Sequence, residues 1–94
     1  MDHPYKIGEN YFIRTVSFHY TGKLLSVGPQ EIVLTDAAWI ADDGRFANAI
    51  AAGELKEVEP YPDGREVVIG RGAIVDAVAI DWPLPREQFP KGNS

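Results

Sequence analysis

The chain has 94 residues, no cysteine and a formal net charge of −5. A chain of this length has room for one domain with one core, and its stability is modest unless oligomerisation or another interaction adds to it. The lack of cysteine excludes disulfides, thiolate metal sites and cysteine nucleophiles, and favours a reducing compartment, so we expect a cytoplasmic protein. No apolar run suits a signal peptide or a membrane span, so we expect no membrane association.

The negative charge is concentrated in the middle of the chain. Residues 31–81 carry eleven acidic residues against four basic ones, a net charge of −7, whereas residues 1–30 and 82–94 each carry +1. A surface of this sign repels phosphate backbones. The distribution therefore disfavours nucleic acid as a partner unless a local basic site overcomes the repulsion.

The first third of the chain has the composition of β-strands. Residues 11–27 are dense in aromatic and β-branched residues and contain no proline, and Gly22 among them predicts a bulge or bend. Gly28 and Pro29 predict a turn, and residues 31–35 predict a second strand that pairs with the first in an antiparallel arrangement.

The acidic stretch predicts one short helix. Residues 44–52 place apolar side chains at helical spacing, and Asp42 or Asp43 suits the N-cap, because a carboxylate accepts hydrogen bonds from free backbone N–H groups. Gly53 suits the position just after the last turn. Such a short helix is marginal alone, so its apolar side, which includes Phe46, is expected to pack on a sheet.

The rest of the chain predicts further strands and a tail. Residues 55–61, 65–70 and 73–80 have strand composition, and residues 62–64 form a turn signal, which brings the total to about five strands. The tail, residues 82–94, contains three prolines. Because proline lacks an N–H donor, we expect the tail to stay outside the sheet, extended or mobile.

Two segments together resemble the motifs of the Sm-like family. Residues 20–27 and 32–37 resemble the first Sm motif: a glycine, a leucine two positions later, a turn, an alternating apolar strand and a closing Asp-Ala pair. Residues 67–75 resemble the second motif, in which an apolar strand ends in Arg71 and Gly72 before another apolar strand. The two motifs cover about a third of the chain.

The resemblance implies a fold class. It is mostly β, a small five-stranded, strongly bent Sm-like barrel of residues 1–81 with one short helix inserted between strands 3 and 4. The insertion is an enlarged acidic connection of residues 38–64, and residues 82–94 form a proline-rich C-terminal tail. Small SH3-like and OB barrels share much of this strand pattern and stay open as alternatives.

The resemblance also implies self-assembly. Sm-like subunits pair the fourth strand of one copy with the fifth strand of the next, which closes a homo-oligomeric ring of about five to seven subunits. Independently, residues 73–80 form an apolar terminal strand, and such an edge aggregates unless it is paired. The predicted interface residues are Val67, Ile69, Ile74, Val75 and Val78. We therefore expect a ring-forming structural or interaction protein that presents an acidic face to a protein partner, and not an enzyme.

The alternative is a divergent RNA-binding ring. In RNA-binding members of the family, an asparagine between the second and third strands and the arginine of the Arg-Gly pair hold a base. Arg71 and Gly72 match one half of this pocket, but the asparagine position falls on Glu31. The candidate nucleic-acid or anion site is Arg71, Gly72, Gln30, Glu31 and Lys23, with Arg14 as a further basic residue near the pore.

Structural roles suit several of these residues as well. Arg71 beside a turn suits an ion pair with a neighbouring acid, and Gly72 suits a turn that needs a positive φ. Gln30 and Glu31 also suit a solvated turn.

The sequence offers little for catalysis. The two histidines, His3 and His19, exclude most multi-histidine metal sites, and no serine has a base and an orienting acid at a motif spacing. No glycine-rich phosphate loop occurs. We therefore predict no metal and no cofactor.

Two aromatic residues in the tail are candidate anchors for a protein partner. Trp82 and Phe89 lie among prolines, and a pre-extended segment binds a groove at low entropic cost. Folding of Trp82 back onto its own domain is the alternative.

Overall fold

The structure, a computed structural model, describes residues 3–91 and is built mainly from antiparallel strands. The strands are β1 (Asn10–Thr15), β2 (His19–Val27), β3 (Glu31–Asp42), β4 (Glu57–Pro60), β5 (Val67–Gly70) and β6 (Ile74–Ala79), and one helix, α1 (Phe46–Ala52), follows β3. The predicted mostly-β class with one short helix is confirmed. Within residues 3–91, no helix has the length and apolar character needed to cross a membrane.

The sheet is open and has six strands, whereas the expectation was a five-stranded barrel. Its order is β4-β3-β2-β1-β6, and β5 also pairs with β3. β3 accommodates β4 and β5 on the same side because it has 12 residues: residues 31–34 pair with β5, and residues 38–42 pair with β4. β4 corresponds to the predicted strand of residues 55–61, within the acidic connection of residues 38–64, and the sixth strand arises because residues 11–27 form two strands.

The segment of residues 11–27 forms two strands because a turn interrupts it after Thr15. The Thr15 hydroxyl accepts hydrogen bonds from the N–H groups of Ser17, at 3.3 Å, and Phe18, at 2.9 Å. The Thr15 N–H donates to the Phe18 carbonyl at 2.9 Å. A threonine side chain therefore makes this turn without glycine or proline, which are the residues that usually reveal a turn in a sequence.

Gly22 marks a bulge, as predicted. The register between β2 and β3 shifts between Thr21 and Lys23. A Cβ atom on Gly22 would lie 3.0 Å from the Leu34 side chain and 3.3 Å from that of Ala37. Close packing of the two strands, rather than an unusual φ, therefore favours glycine at this position.

Strand β3 continues beyond residue 35, its predicted end. Asp36 has a φ of 51°, in the left-handed region, and pairing with β2 resumes at Ala38 opposite Thr21. A single residue in this region bends a strand without ending it. Ala37 and Ala38 next to the bend are fully buried. The bend therefore lets one strand contribute to two parts of the core.

The start of α1 differs from the prediction. Arg45 is the N-cap residue and no side chain caps the helix, so the N-cap role predicted for Asp42 or Asp43 is wrong. The Asp42 carboxylate accepts a hydrogen bond from the Gly44 N–H at 2.8 Å, and Asp43 lies 3.0 Å from His19 Nδ1. Both carboxylates therefore organise the loop before the helix.

The end of α1 agrees with the prediction and meets the tail. Gly53 has a φ of 70°, and its N–H donates to the Ala49 carbonyl at 2.8 Å. A Cβ on Gly53 would lie 2.7 Å from the Trp82 ring. Trp82 is only 9% exposed, and its indole N–H donates to the Ile50 carbonyl at 2.9 Å.

Two groups of buried side chains lie on the two faces of the sheet, because successive residues of a strand point to opposite sides. The first core comprises Tyr11, Ile13, Leu24, Ile32, Leu34, Ala37 and Ile69. The second core comprises Phe12, Ala38, Ile40, Val58, Ile80 and Trp82. Helix α1 and the tail belong to the second core, through the partly buried Ile50 and Leu84.

The tail joins the sheet at one point, contrary to the prediction. Phe89 and Val58 of β4 exchange two backbone hydrogen bonds of 2.7 and 3.0 Å. Phe89 has a backbone N–H to donate because the proline of this segment, Pro90, occupies the next position. The Arg86 guanidinium also donates to the carbonyls of Ala37 and Tyr61 at 3.2 and 3.1 Å, and to the Asp63 carboxylate. Residues 82–91 therefore pack along the β4 side of the sheet and bond to it.

Candidate assembly edges and the cleft beside β6

Two strands have a hydrogen-bonding edge without a partner in residues 3–91. β5 pairs with β3 alone, and β6 pairs with β1 alone. The short 3-10 turn Arg71–Ala73 connects the two strands. The free edges belong to the strands that the Sm resemblance assigns to the subunit contact.

The register of β6 determines which of its backbone groups point outward. The Ile80 N–H donates to the Asn10 carbonyl at 2.9 Å, at the end of the β1–β6 pair. In an antiparallel pair, residues that bond to the neighbouring strand alternate with residues that point away from it. Val78 therefore bonds to β1, whereas Ala77 and Ala79 direct their N–H and C=O groups to the free edge.

The same reasoning applies to β5. The Arg71 N–H donates to the Gln30 carbonyl at 2.9 Å, next to the β3–β5 pair. Ile69, two residues earlier, therefore bonds to β3, while Val68 and Gly70 direct their backbone groups to the free edge. Each edge offers two residues with free donors and acceptors.

The predicted interface residues divide between the core and the surface. Three of them face the first core: Val67, Ile69 and Ile74. Val75 and Val78 are exposed, Val78 by 41%, and their interface role stays a prediction. Val68, which the sequence analysis did not select, is 64% exposed. The signal for it lies in the run Val67-Val68-Ile69, because the middle residue of a strand faces away from the side that its neighbours bury.

Arg71, Gln30 and Glu31 of the predicted anion site do come together. Glu31 lies opposite Gly70, and the Arg71 backbone bonds to Gln30. The Arg71 side chain donates to the Gly28 carbonyl at 2.8 Å. This hydrogen bond links the turn between β2 and β3 to the 3-10 turn. Arg71 therefore bonds to a backbone carbonyl, and not to a neighbouring acidic side chain as in the structural role suggested by the sequence.

Gly72 lacks the positive φ predicted for it, and Lys23 lies apart from the other residues of the predicted anion site. Gly72 lies in the 3-10 turn without a positive φ, and a Cβ there would meet no atom within 4 Å, so the backbone requirement assigned to it is wrong. Lys23 pairs with Thr35, several positions along β3 from Gln30. It lines a separate cleft together with Asp36.

A shallow cleft of about 460 Å³ lies beside β6. On one side is Tyr5, whose ring packs edge to face on Tyr11 at a centroid distance of 5.7 Å. On the other side are Val75 and Ala77 of β6, and Arg71 also lines the cleft. The cleft depends on the N-terminal segment lying near β6, which no sequence pattern indicated.

An ion pair ties β6 to β1. Arg14 donates two hydrogen bonds to the Asp76 carboxylate, one of them from Nε at 2.9 Å, and lies 4.8 Å from the centre of the Phe46 ring. The hydrogen bond to Asp76 raises the pKa of Arg14, and the same bond lowers the pKa of Asp76. Both groups are therefore charged at neutral pH and engaged with each other.

The predicted partner anchors differ in exposure. Trp82 is buried against α1, so it packs on its own domain, which was the alternative to partner binding. Phe89 is 54% exposed and lines an apolar cleft of about 420 Å³ with Leu55 and Pro85. Its role as an anchor stays a prediction.

Among residues 3–91, no group of three or more histidine, aspartate or glutamate side chains could hold a metal ion. No protein family, curated protein or solved structure matches the chain. The function therefore has to be inferred from the free edges, the exposed valines and the cleft.

Proposed function

We propose that this protein is a ring-forming structural subunit with an Sm-like fold, in which β5 of one copy pairs with β6 of the next. The observation that carries the proposal is the presence of two different free edges on one sheet. A contact between two different surfaces of the same chain repeats from copy to copy, and it closes into a ring when the rotation between subunits permits.

The strand order supports the Sm-like assignment. With β4 set aside as part of an insertion, the remaining strands follow the order β5-β3-β2-β1-β6. β5 and β6 then take the places of the fourth and fifth strands, through which Sm-like subunits pair. The bulge at Gly22 lies in the first of the two motifs on which the resemblance rests.

The composition of the edges supports pairing rather than permanent exposure. Monomeric proteins protect edge strands with charges, prolines or covering segments. β5 and β6 carry one charged residue, Asp76, and its carboxylate is paired with Arg14. Val68 and Val78 are partly exposed at these edges, and burial of the remaining surface of one such side chain contributes about 1 kcal/mol.

The alternative of an RNA-binding ring has less support. The Arg71 guanidinium already holds the Gly28 carbonyl, and Glu31 is close by, opposite Gly70. The charge of residues 31–81 adds repulsion. A protein partner for the acidic face is the remaining expectation for the assembled ring.

Light scattering coupled to size exclusion tests the proposal, with the ratio of absorbance at 260 and 280 nm recorded on protein purified from cells. We expect a particle of about five to seven times the 10.4 kDa chain mass and an absorbance ratio typical of protein alone. A stable monomer would contradict ring formation. A ring that carries RNA, with affinity that falls steeply as salt is added, would favour the alternative.

A further inference from the structure

Val68 exposes an aliphatic side chain on a free edge. It is 64% exposed, whereas Ile69 beside it is buried in the first core. Its backbone N–H and C=O groups also point to the free edge, because Ile69 uses its own groups to bond to β3. Both the side chain and the backbone of Val68 therefore lack a partner within residues 3–91.

The cleft beside β6 lies next to the complementary backbone groups. Ala77 lines the cleft and directs its N–H and C=O outward, between the inward-directed Asp76 and Val78. Ala77 lies on the same face of the sheet as Tyr11, which forms another wall of the cleft. A strand that pairs with Ala77 therefore passes along the opening of the cleft.

The geometry of antiparallel pairing then selects a side chain. Two residues that exchange hydrogen bonds in such a pair have their side chains on the same face of the sheet. Within the regular part of the β1–β6 register, the residues that can exchange bonds across the two free edges are Val68 and Gly70 of β5 and Ala77 and Ala79 of β6. When β5 of a second copy pairs with β6, Val68 of that copy therefore lies on the face of Ala77, which is the face of the cleft.

We propose that the cleft beside β6 receives the Val68 side chain of the neighbouring copy, in the register that places Val68 opposite Ala77. This inference rests on the proposed edge pairing and names the residue that each copy contributes to the other. The register also places Gly70 opposite Val75, in the irregular part of the β1–β6 register. Arg71 and Asp76 are the two charged residues of the cleft lining. The other six lining residues are apolar or aromatic and offer contacts to an aliphatic side chain: Pro4, Tyr5, Tyr11, Ile74, Val75 and Ala77.

Cross-linking tests the register directly, because the chain has no cysteine of its own. A Val68→Cys chain is expressed together with an Ala77→Cys chain, and only one of them carries a purification tag. A hydrogen-bonded antiparallel pair has its Cα atoms about 5.5 Å apart. This separation lies within the usual range for disulfides, about 4.4–6.8 Å. After mild oxidation, we expect a covalent dimer that contains one chain of each kind.

The matched control replaces the second chain by Val78→Cys, one residue along the strand and on the opposite face. We expect its yield of mixed dimer to be lower by about fivefold or more, because the side chains diverge. Native-mass assembly without the Val68–Ala77 product, or with more of the Val78 product, overturns the inference and leaves ring formation standing. Wild-type protein that is monomeric overturns both.

A second pair of variants covers the case in which the cysteine chains fold poorly. Val68→Lys should convert the assembly to monomers without loss of secondary structure, since the side chain is exposed within the subunit. Leu25→Lys is the control, because Leu25 is 43% exposed but lies on β2, which has a strand on each side. Retention of the native mass by Val68→Lys would overturn the inference.

Discussion

The β4 edge and the edges of β5 and β6 end the sheet in different ways. The outer side of β4 is covered by Phe89, which bonds to Val58, and the tail that carries Phe89 is fixed by Trp82 and Arg86. β5 and β6 have no comparable cover within residues 3–91. An unprotected edge invites strand addition. The tail therefore protects one edge and leaves the other two uncovered, and these are the two edges that we propose to pair between copies.

The tail segment that lies against β4 is packed into the second core. The Trp82 ring packs against Gly53 at the end of α1, and Arg86 bonds to two carbonyls on different segments of the chain. By contrast, Val68 and Val78 are both exposed, so replacing either of them by a charged residue should not disturb a buried contact. Variants of the two regions should therefore separate folding from assembly.

The largest effect is expected for Trp82→Ala. The change removes a buried indole and its hydrogen bond to Ile50, and should lower the free energy of unfolding by about 3–5 kcal/mol. Urea denaturation of the variant and of wild type at equal concentration measures it. Phe89→Ala is the control and should lose less, because Phe89 is half exposed. Equal losses for the two variants would show that the tail is not anchored by Trp82.

Proline substitutions at two neighbouring positions of β6 should distinguish the side of the strand that bonds to β1 from the side that forms the free edge. Val78→Pro removes an N–H that bonds to β1 and should destabilise the subunit by about 1–3 kcal/mol, since a carbonyl of β1 loses its donor. Ala77→Pro removes an N–H that points outward, so it should give monomers that keep most of their thermal stability. Light scattering and thermal unfolding measure both. Assembly that survives Ala77→Pro would exclude β6 as the contact.

Arg86→Met should loosen the cover of β4 by a smaller amount. It removes the donors for the Ala37 and Tyr61 carbonyls, and we expect a loss of about 1–2 kcal/mol in the free energy of unfolding. Arg65→Met, at an exposed arginine, is the matched control and should change little. The native mass should be unaltered in both, and a loss of assembly in Arg86→Met alone would connect the β4 side to the subunit contact.

The smallest effect is expected for the ion pair between Arg14 of β1 and Asp76 of β6. The pKa of Asp76 is lowered in the folded state, so the pair stabilises the fold above the ordinary aspartate pKa of about 4, and this contribution disappears as the pH falls through the lower folded value. The melting temperature of Asp76→Asn should therefore lie slightly below that of wild type at pH 6 and approach it in acid. The effect is small because the pair is solvent-exposed. A difference that does not vary with pH would exclude this cause.

Local chemistry made part of the fold predictable. The bulge at Gly22 and the helix end at Gly53 follow from what glycine permits, and the structure has both. The turn at residues 62–64 is also present, with Gly64 at a φ of 80° and a hydrogen bond of 3.2 Å from Arg65 to Pro62. In each case the residues that specify the feature are adjacent in sequence.

Features that depend on distant partners were not predictable. The pairing of Phe89 with Val58 joins segments about 30 residues apart. The turn after Thr15 is local, but it contains no glycine or proline that would have indicated it. The exposure of Val68 follows from which side of β5 packs on the core, and the cleft beside β6 requires Tyr5 to reach Tyr11. Composition and spacing contain none of these contacts.

Residue-resolved amide hydrogen exchange of the unmodified protein tests edge pairing most directly. The amides of Val68, Gly70, Ala77 and Ala79 point to free edges in a single copy, so protection of these amides requires a strand from another copy. We predict that they exchange as slowly as core amides in the wild-type assembly. In the Ala77→Pro variant, the amides of Val68, Gly70 and Ala79 should exchange quickly. Rapid exchange at these positions in wild type, with the amide of Ile13 protected, would contradict the pairing of β5 with β6.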